Sequence, residues 1–346
     1  DEEGRFTGFD VVIGNPPYGV NINREEKDYL KQNYEVVKGN YDVYTAFIER
    51  GNKIGILNSW SCFITPVSWL TGSKYKWLRE FLKNEMKLVT AIILPYDVFV
   101  DAYVDTGIYL FKNSTSKNYK SEVFEFHPRK KIDSKDVKNI SYKILPSEYW
   151  ENEKAYEIIF KPSFYQLKRK VVRNTVPLDK ISKTTRGILA NSTDIYKKPK
   201  DDLKRFFTGD LYRYKILEDF LWVDYGVNLK EKPSEYTYFK GKRILIRRLI
   251  SRQFRMMASL TDKEFVNKKD IYNLLLTTDD FKYEYILALI NSKLFSYLKV
   301  GGSSLATKDD FSQLTLSDIR DLPIKVILHK EQNKYVKIVQ EILVQK

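Results

Sequence analysis

Asn15, Pro16, Pro17 and Tyr18 stand in succession and are residue types that can grip a planar amine. Neither proline has an N–H, so the pair ends any strand that leads into it and leaves nearby carbonyls without competing donors. Asn15 adds a side-chain amide oxygen, which makes two fixed acceptors, and Tyr18 adds an aromatic face. An amino group held at its edge and stacked on its ring describes a nucleobase amine. The lone pair of such an amine is delocalised into the ring. Two acceptors pulling on its hydrogens favour a tetrahedral nitrogen and free that pair. The chemistry calls for preorganised acceptors, with a methyl donor in line behind the nitrogen, and for no metal or strong base. Read as structure alone, the same four residues are a rigid loop at a strand end.

The elements around the motif decide between the two. FDVVIG over 9–14 reads as a buried strand, which puts the motif at the strand's C-terminal end, where open parallel sheets hold ligands. Residues 23–34 and 41–53 read as helices, the second with Val43, Phe47 and Ile48 on one face. Residues 55–65 form a second strand with a bulge at Asn58-Ser59, and 73–86 an amphipathic helix capped by Ser73. Residues 87–95 and 105–112 form two more strands, expected as a hairpin at one edge. The alternation predicts an α/β unit with a mainly parallel sheet. Four strands with no glycine-rich turn after the first leave a sheet that another segment or chain would complete.

The rest is organised differently. Residues 113–160 read as a polar connection with short strands at 123–128 and 140–146 and a helix over 148–160. A helix over 163–172 opens a second domain of short strands and turns, followed by helical residues 280–300 and a closing helix over 329–346. The expected boundaries are a catalytic half-domain over 1–125, a connection over 126–162, a recognition domain over 163–325 and a tail helix over 326–346.

Charge separates the two parts. Residues 1–112 carry 13 Lys/Arg against 15 Asp/Glu, whereas 113–346 carry 46 against 30, so the excess behind the net charge of +14 belongs to the second part. A basic domain joined to a near-neutral one points to a polyanion partner. Residues 240–260 hold seven basic residues and no acidic one. If Ile244 and Ile246 point inward, Arg243 and Arg247 share the other face. With Lys242, Arg248 and Arg252 they could hold phosphates and guanine edges; a solvated basic strand is the plainer alternative. Arg186 precedes Gly187 in a turn open to a close backbone approach, and Ser303 lies in a Gly-Gly-Ser-Ser loop able to reach a groove. One cysteine (Cys62) and two histidines (His127, His329) exclude an internal disulfide framework and a Cys/His zinc site, so no metal is expected. No apolar run is long enough to span a bilayer, so no membrane partner and a cytoplasmic setting are expected.

FDVVIGNPPYG resembles the catalytic motif of the N6-adenine DNA methyltransferases. YDVYTAFIERG (41–51), FITPVSWLTGSKYKWLREFL (63–82) and IILPYDVFVDAYVDTGIYLFKN (92–113) follow in that family's order. The resemblance implies that Asn15 and the Pro16 carbonyl hold the amine of a flipped adenine, with Pro17 in the same catalytic motif. It implies that Tyr18 and Phe99 stack on the ring, and that S-adenosylmethionine donates the methyl group. The main cofactor motif is expected upstream of the catalytic motif, on an upstream methyltransferase segment or a partner chain. TTRGILANSTDIY, FFTGDLYRY, KRILIRRLISR, YILALINSKLFSYLKVGGSS and LTLSDIRDLPI resemble, in order, a TaqI-like target-recognition domain of the type IIG restriction–modification enzymes. The expected fold is thus a partial Rossmann-like methyltransferase sheet plus a mixed α+β DNA target-recognition domain. The expected activity is site-specific adenine-N6 methylation of double-stranded DNA within a restriction–modification system. An endonuclease elsewhere in the parent rests on the resemblance alone. The alternative is a DNA-binding specificity module with no activity of its own.

Overall fold

The computed structural model describes residues 2–39, 41–95, 98–99, 104–153, 155–226, 229–250, 254–301 and 313–345. The chain divides into two compact units, Asp1–Tyr165 and Gln166–Lys346.

The first unit runs β1 (Phe9–Gly14), α1 (Arg24–Asn33), α2 (Val43–Ile54), β2 (Gly55–Pro66), α3 (Lys76–Glu85), β3 (Met86–Ile93), β4 (Thr106–Asn113), β5 (Lys120–Glu125), α4 (Ser134–Lys138), β6 (Lys143–Pro146) and α5 (Ser147–Glu151). Its six-stranded sheet has the order β1-β2-β4-β3-β5-β6. β1 pairs parallel to β2 and β3 parallel to β5, whereas β4 lies antiparallel between β2 and β3, and β6 antiparallel to β5. The β3–β4 hairpin therefore sits inside the sheet, not at its edge. The two strands expected in the polar connection extend the sheet. The 148–160 helix shortens to α5.

β1 forms where its pattern predicts, but it is not buried. It is the outer strand, and Phe9, Val11 and Ile13 stand 50%, 53% and 78% exposed. The expected bulge is present: between Phe9↔Gly55 and Val11↔Trp60 one residue of β1 faces four of β2, and Asn58 takes φ +66°. In α2 the buried apolar residues are Tyr44, Ala46 and Ile48, while Phe47 faces solvent. The expected cap position moves: a 3-10 turn spans Ser73–Tyr75, and α3 starts at Lys76 with Tyr75 at its N-cap and no side-chain cap there. What anchors α3 is Arg79, wholly buried, which donates to the carbonyls of Trp69, Gly72 and Ala155. Its burial pulls the guanidinium pKa down to about 10.

A helix, α6 (Pro162–Val171), leads into the second unit. There follow β7 (Thr175–Pro177), β8 (Ser182–Arg186), β9 (Ile195–Tyr196), β10 (Lys204–Phe207), β11 (Asp210–Tyr212), β12 (Lys215–Leu217), β13 (Phe220–Val223), β14 (Arg243–Arg247), β15 (Ala258–Thr261), β16 (Val266–Asn267) and β17 (Ile271–Leu276). The helices α7 (Tyr283–Ile290), α8 (Lys293–Ser296), α9 (Leu316–Arg320) and α10 (His329–Gln345) close it, with β18 (Pro323–Lys325) before α10 and paired to β7. An antiparallel sheet β15-β14-β17-β8 is covered on both sides. Ile244, Ile246, Tyr272 and Leu274 pack with α7, while Leu245 and Ile271 pack with Phe207 and Phe265. A second sheet, β16-β10-β13-β9, has its own core of Phe206, Val223, Phe239 and Val266.

Candidate active site and nucleic-acid interface

β1, β2, β3 and β5 run in one direction, so their C-terminal ends share one edge of the sheet. Asn15–Tyr18 follow β1 there, a 3-10 turn at Val67–Leu70 follows β2, and Phe99 lies in the segment after β3. This is the edge at which open α/β sheets hold ligands. Pro16 is buried and anchors the loop, Asn15 and Pro17 are exposed, and Tyr18 and Phe99 are half-buried. Asn15 thus offers its amide from a short, stiff segment between a paired strand and a buried ring.

Two contacts hold this segment. Gly19, at φ +69°, donates its N–H to Asp42 Oδ1 at 3.2 Å. Asp42 is the N-cap residue of α2, and its carbonyl accepts from Thr45 Oγ1 at 2.8 Å. Behind the loop, the Phe63 ring wedges between β1 and α2: a Cβ on Gly14 would lie 3.1 Å from it and one on Gly51 2.7 Å. The strand end can approach Phe63 this closely because Gly14 has no side chain. Asn15, the two prolines and Tyr18 thus follow β1, and Phe99 follows β3, residue types able to orient a planar amine.

In the second unit the expected basic residues separate by what they touch. Arg243 is a correction: it was expected on a solvent face, yet it is wholly buried because β14 is covered on both sides. Its Nε donates to Asn273 Oδ1, its Nη1 to the carbonyls of Gly241 and Lys263, and its Nη2 to that of Phe265. That is a fold-building arginine. Lys242 is paired with Glu284 at 2.8 Å. Arg247 is half-buried, with Nη1 3.8 Å from Met257 Sδ. Arg248 is half-buried beside Asp270 at 3.3 Å, and Arg186 is half-buried at the end of β8. Arg252 and Ser303 lie outside the described residues. Arg255 donates to Ser296 Oγ and the Asn291 carbonyl, at the end of α7. The sequence reading missed Asp270, which pairs with Arg248, and Tyr272, which lies directly opposite Arg186 in the sheet; the polar Tyr-Asn step inside IYNLLL was the available signal. Among the described residues no group of three or more His, Cys, Asp or Glu could hold a metal ion, and no helix is long and apolar enough to cross a membrane.

Residues 2–99 match the family model described as Eco57I restriction-modification methylase, and residues 204–324 that described as TaqI-like C-terminal specificity domain. A putative type II restriction enzyme and methyltransferase of Methanocaldococcus jannaschii is 34% identical over 336 residues, covering 93% of this chain and 28% of that protein. An adenine-specific methyltransferase of Escherichia coli, BrxX, is 26% identical over 121 residues, covering 34% of this chain and 10% of its own. The chain thus spans little more than a quarter of the first relative's length. Among solved structures, the type IIL restriction-modification enzyme MmeI in complex with DNA superposes with a TM-score of 0.57 at 12% identity. That match covers 90% of this chain and 46% of MmeI, a likeness of fold.

Proposed function

We propose, from the pairing of a match to the Eco57I restriction-modification methylases over residues 2–99 with one to the TaqI-like C-terminal specificity domains over residues 204–324, that the chain serves site-specific methylation of adenine N6 in duplex DNA. The observation that carries the proposal is the position of Asn15–Tyr18 at the C-terminal end of a parallel strand, on the same sheet edge as Phe99. The relative named as adenine-specific supports the choice of base.

In this reading the adenine leaves the duplex and its amine meets Asn15 Oδ1 and the Pro16 carbonyl as acceptors. Tyr18 and Phe99 hold the ring by its faces, at a cost of unstacking of a few kcal/mol. Pro17 and the Gly19–Asp42 bond keep the acceptors in place, so little reorganisation accompanies the reaction. S-adenosylmethionine is the methyl source that the relatives named methyltransferases imply. The residues present do not fit its main cradle: among the described residues no strand of the sheet runs into a glycine-rich turn. The cradle belongs to a further methyltransferase segment or partner chain set against the open edge of β1.

The test is transfer of labelled methyl to unmethylated duplex DNA, with the product digested to nucleosides. With the further methyltransferase segment or partner chain present, label is expected in N6-methyladenine. Asn15→Ala should abolish it with DNA affinity nearly intact; unchanged turnover in Asn15→Ala overturns the assignment. That no described strand of the sheet runs into a glycine-rich turn favours one second reading, a specificity module that binds DNA without reacting. It is supported if sequence-specific binding persists while no partner segment restores transfer.

A further inference from the structure

Arg186 ends β8 directly opposite Tyr272 of β17, and Ile246 of β14 lies on the other side of Tyr272. Directly opposed residues share a sheet face. Arg248, two positions beyond Ile246, returns to that face, its N–H bonded to the Asp270 carbonyl at 2.8 Å. Both guanidinium groups act electrostatically on the Tyr272 hydroxyl. Tyr272 is wholly buried and donates to the Leu314 carbonyl at 2.6 Å, so the support beneath the two arginines is rigid. Gly187 adds to this, because a Cβ there would lie 2.1 Å from the Asn267 carbonyl oxygen.

These arginines differ from Arg243. Each has a buried Nε with no partner, whereas Arg243 has bonds from all three of its nitrogens. The Arg248 side chain is 23% exposed and Asp270 braces one of its terminal nitrogens. A half-buried, braced fork has already lost most of its rotamer freedom, so it binds with little further ordering cost. An unpaired donor beside it is expensive to keep for non-specific attraction, which exposed lysines supply.

We propose that Arg186 and Arg248 form a guanine-reading pair, each presenting its guanidinium to the O6 and N7 acceptors of a guanine in the major groove of duplex DNA. The inference rests on the proposed function. It names which two of the basic residues select sequence and excludes Arg243 and Lys242. A phosphate also accepts a guanidinium in bidentate fashion, and the test separates the two sources.

The 346-residue chain is used to select binders from a random-sequence duplex library, and the selection is repeated with Arg186→Lys and with Arg248→Lys. The wild type should enrich a motif containing at least two fixed guanines. Each variant should lose discrimination at one of them by roughly 5- to 150-fold, with the other positions unchanged. Asp270→Asn should weaken the same position as Arg248→Lys through loss of the brace, which also covers the case in which a lysine variant folds poorly. Variants that enrich the wild-type motif with uniformly weaker binding and a flatter salt dependence contact phosphate only, and the proposal falls while the proposed function stands. A wild type that enriches no sequence overturns the proposed function itself.

Discussion

A guanidinium carries five N–H donors, and where they go separates an arginine that builds a fold from one that meets a ligand. Arg243 spends its donors on Asn273 and three carbonyls, and burial pulls its pKa down to about 10. Arg243→Gln leaves those acceptors unpaired and should destabilise the chain by about 3 kcal/mol in urea denaturation, with the selected DNA motif unchanged. A motif that changes at one base would return Arg243 to the DNA face. Alternation in RILIR correctly put Arg243 and Arg247 on one side of β14; that the side is covered by Phe207 and Phe265 depends on segments distant in sequence, so no local pattern could show it. Tyr285 gives a prediction of another kind. Burial, helped by Tyr335, pushes its pKa from 10.0 up to about 12, and its hydroxyl donates to the Lys325 carbonyl at 2.8 Å. The folded pKa is raised, so the stability it contributes is complete below pH 10 and is lost as pH rises towards 12. Alkaline titration followed by phenolate absorbance should show this loss, and Tyr285→Phe should flatten that part of the profile; an identical profile in the variant would count against the assignment.

Elements were legible where one segment specifies them and illegible where several must agree. NREEKDYLKQN carries its own capping box, with Asn23 and Glu26 exchanging bonds at 2.9 and 2.8 Å, and α1 forms as read. The order of strands is a different matter. IILP and TGIYLFK are recognisable strands, but nothing local says that the second inserts between β2 and β3. The β5 and β6 segments are polar on one side because they lie towards the far edge, and so they read as a connection. The edge that carries Asn15–Tyr18 depends on one packing unit, the Phe63 ring between Gly14 and Gly51. Alanine ordinarily favours a helix interior over glycine by about 1 kcal/mol. At Gly51 the clash reverses this, and Gly51→Ala should cost about 1–3 kcal/mol. Phe63→Leu makes room, so the double variant should lose less than the two single losses combined, as read by thermal unfolding. Strict additivity would mean that the ring and the helix do not share this contact.

At the scale of the molecule, charge follows the units more sharply than the sequence division did. The first unit carries 23 basic and 23 acidic residues and is neutral, whereas the second carries 36 against 22 and holds the whole net charge of +14. The asymmetry was legible because charge is additive along the chain. The sorting of basic side chains into structural and available ones was not, because it depends on partners such as Glu284 and Asp270. Lys197, Lys198 and Lys200 are exposed on the second unit, as Lys117, Lys138 and Lys143 are on the first. Each lysine that neutralises a phosphate releases counterions, which contributes about 0.9 to the slope of log affinity against log salt. Replacing the second unit's three with glutamine should therefore flatten the slope by up to about 3 and weaken binding similarly for all duplexes. The same exchange at the first unit's three removes equal net charge and should leave the slope unchanged. If both sets flatten it equally, long-range net charge and not local phosphate contact governs binding, and the second unit loses its claim to be the DNA-gripping part.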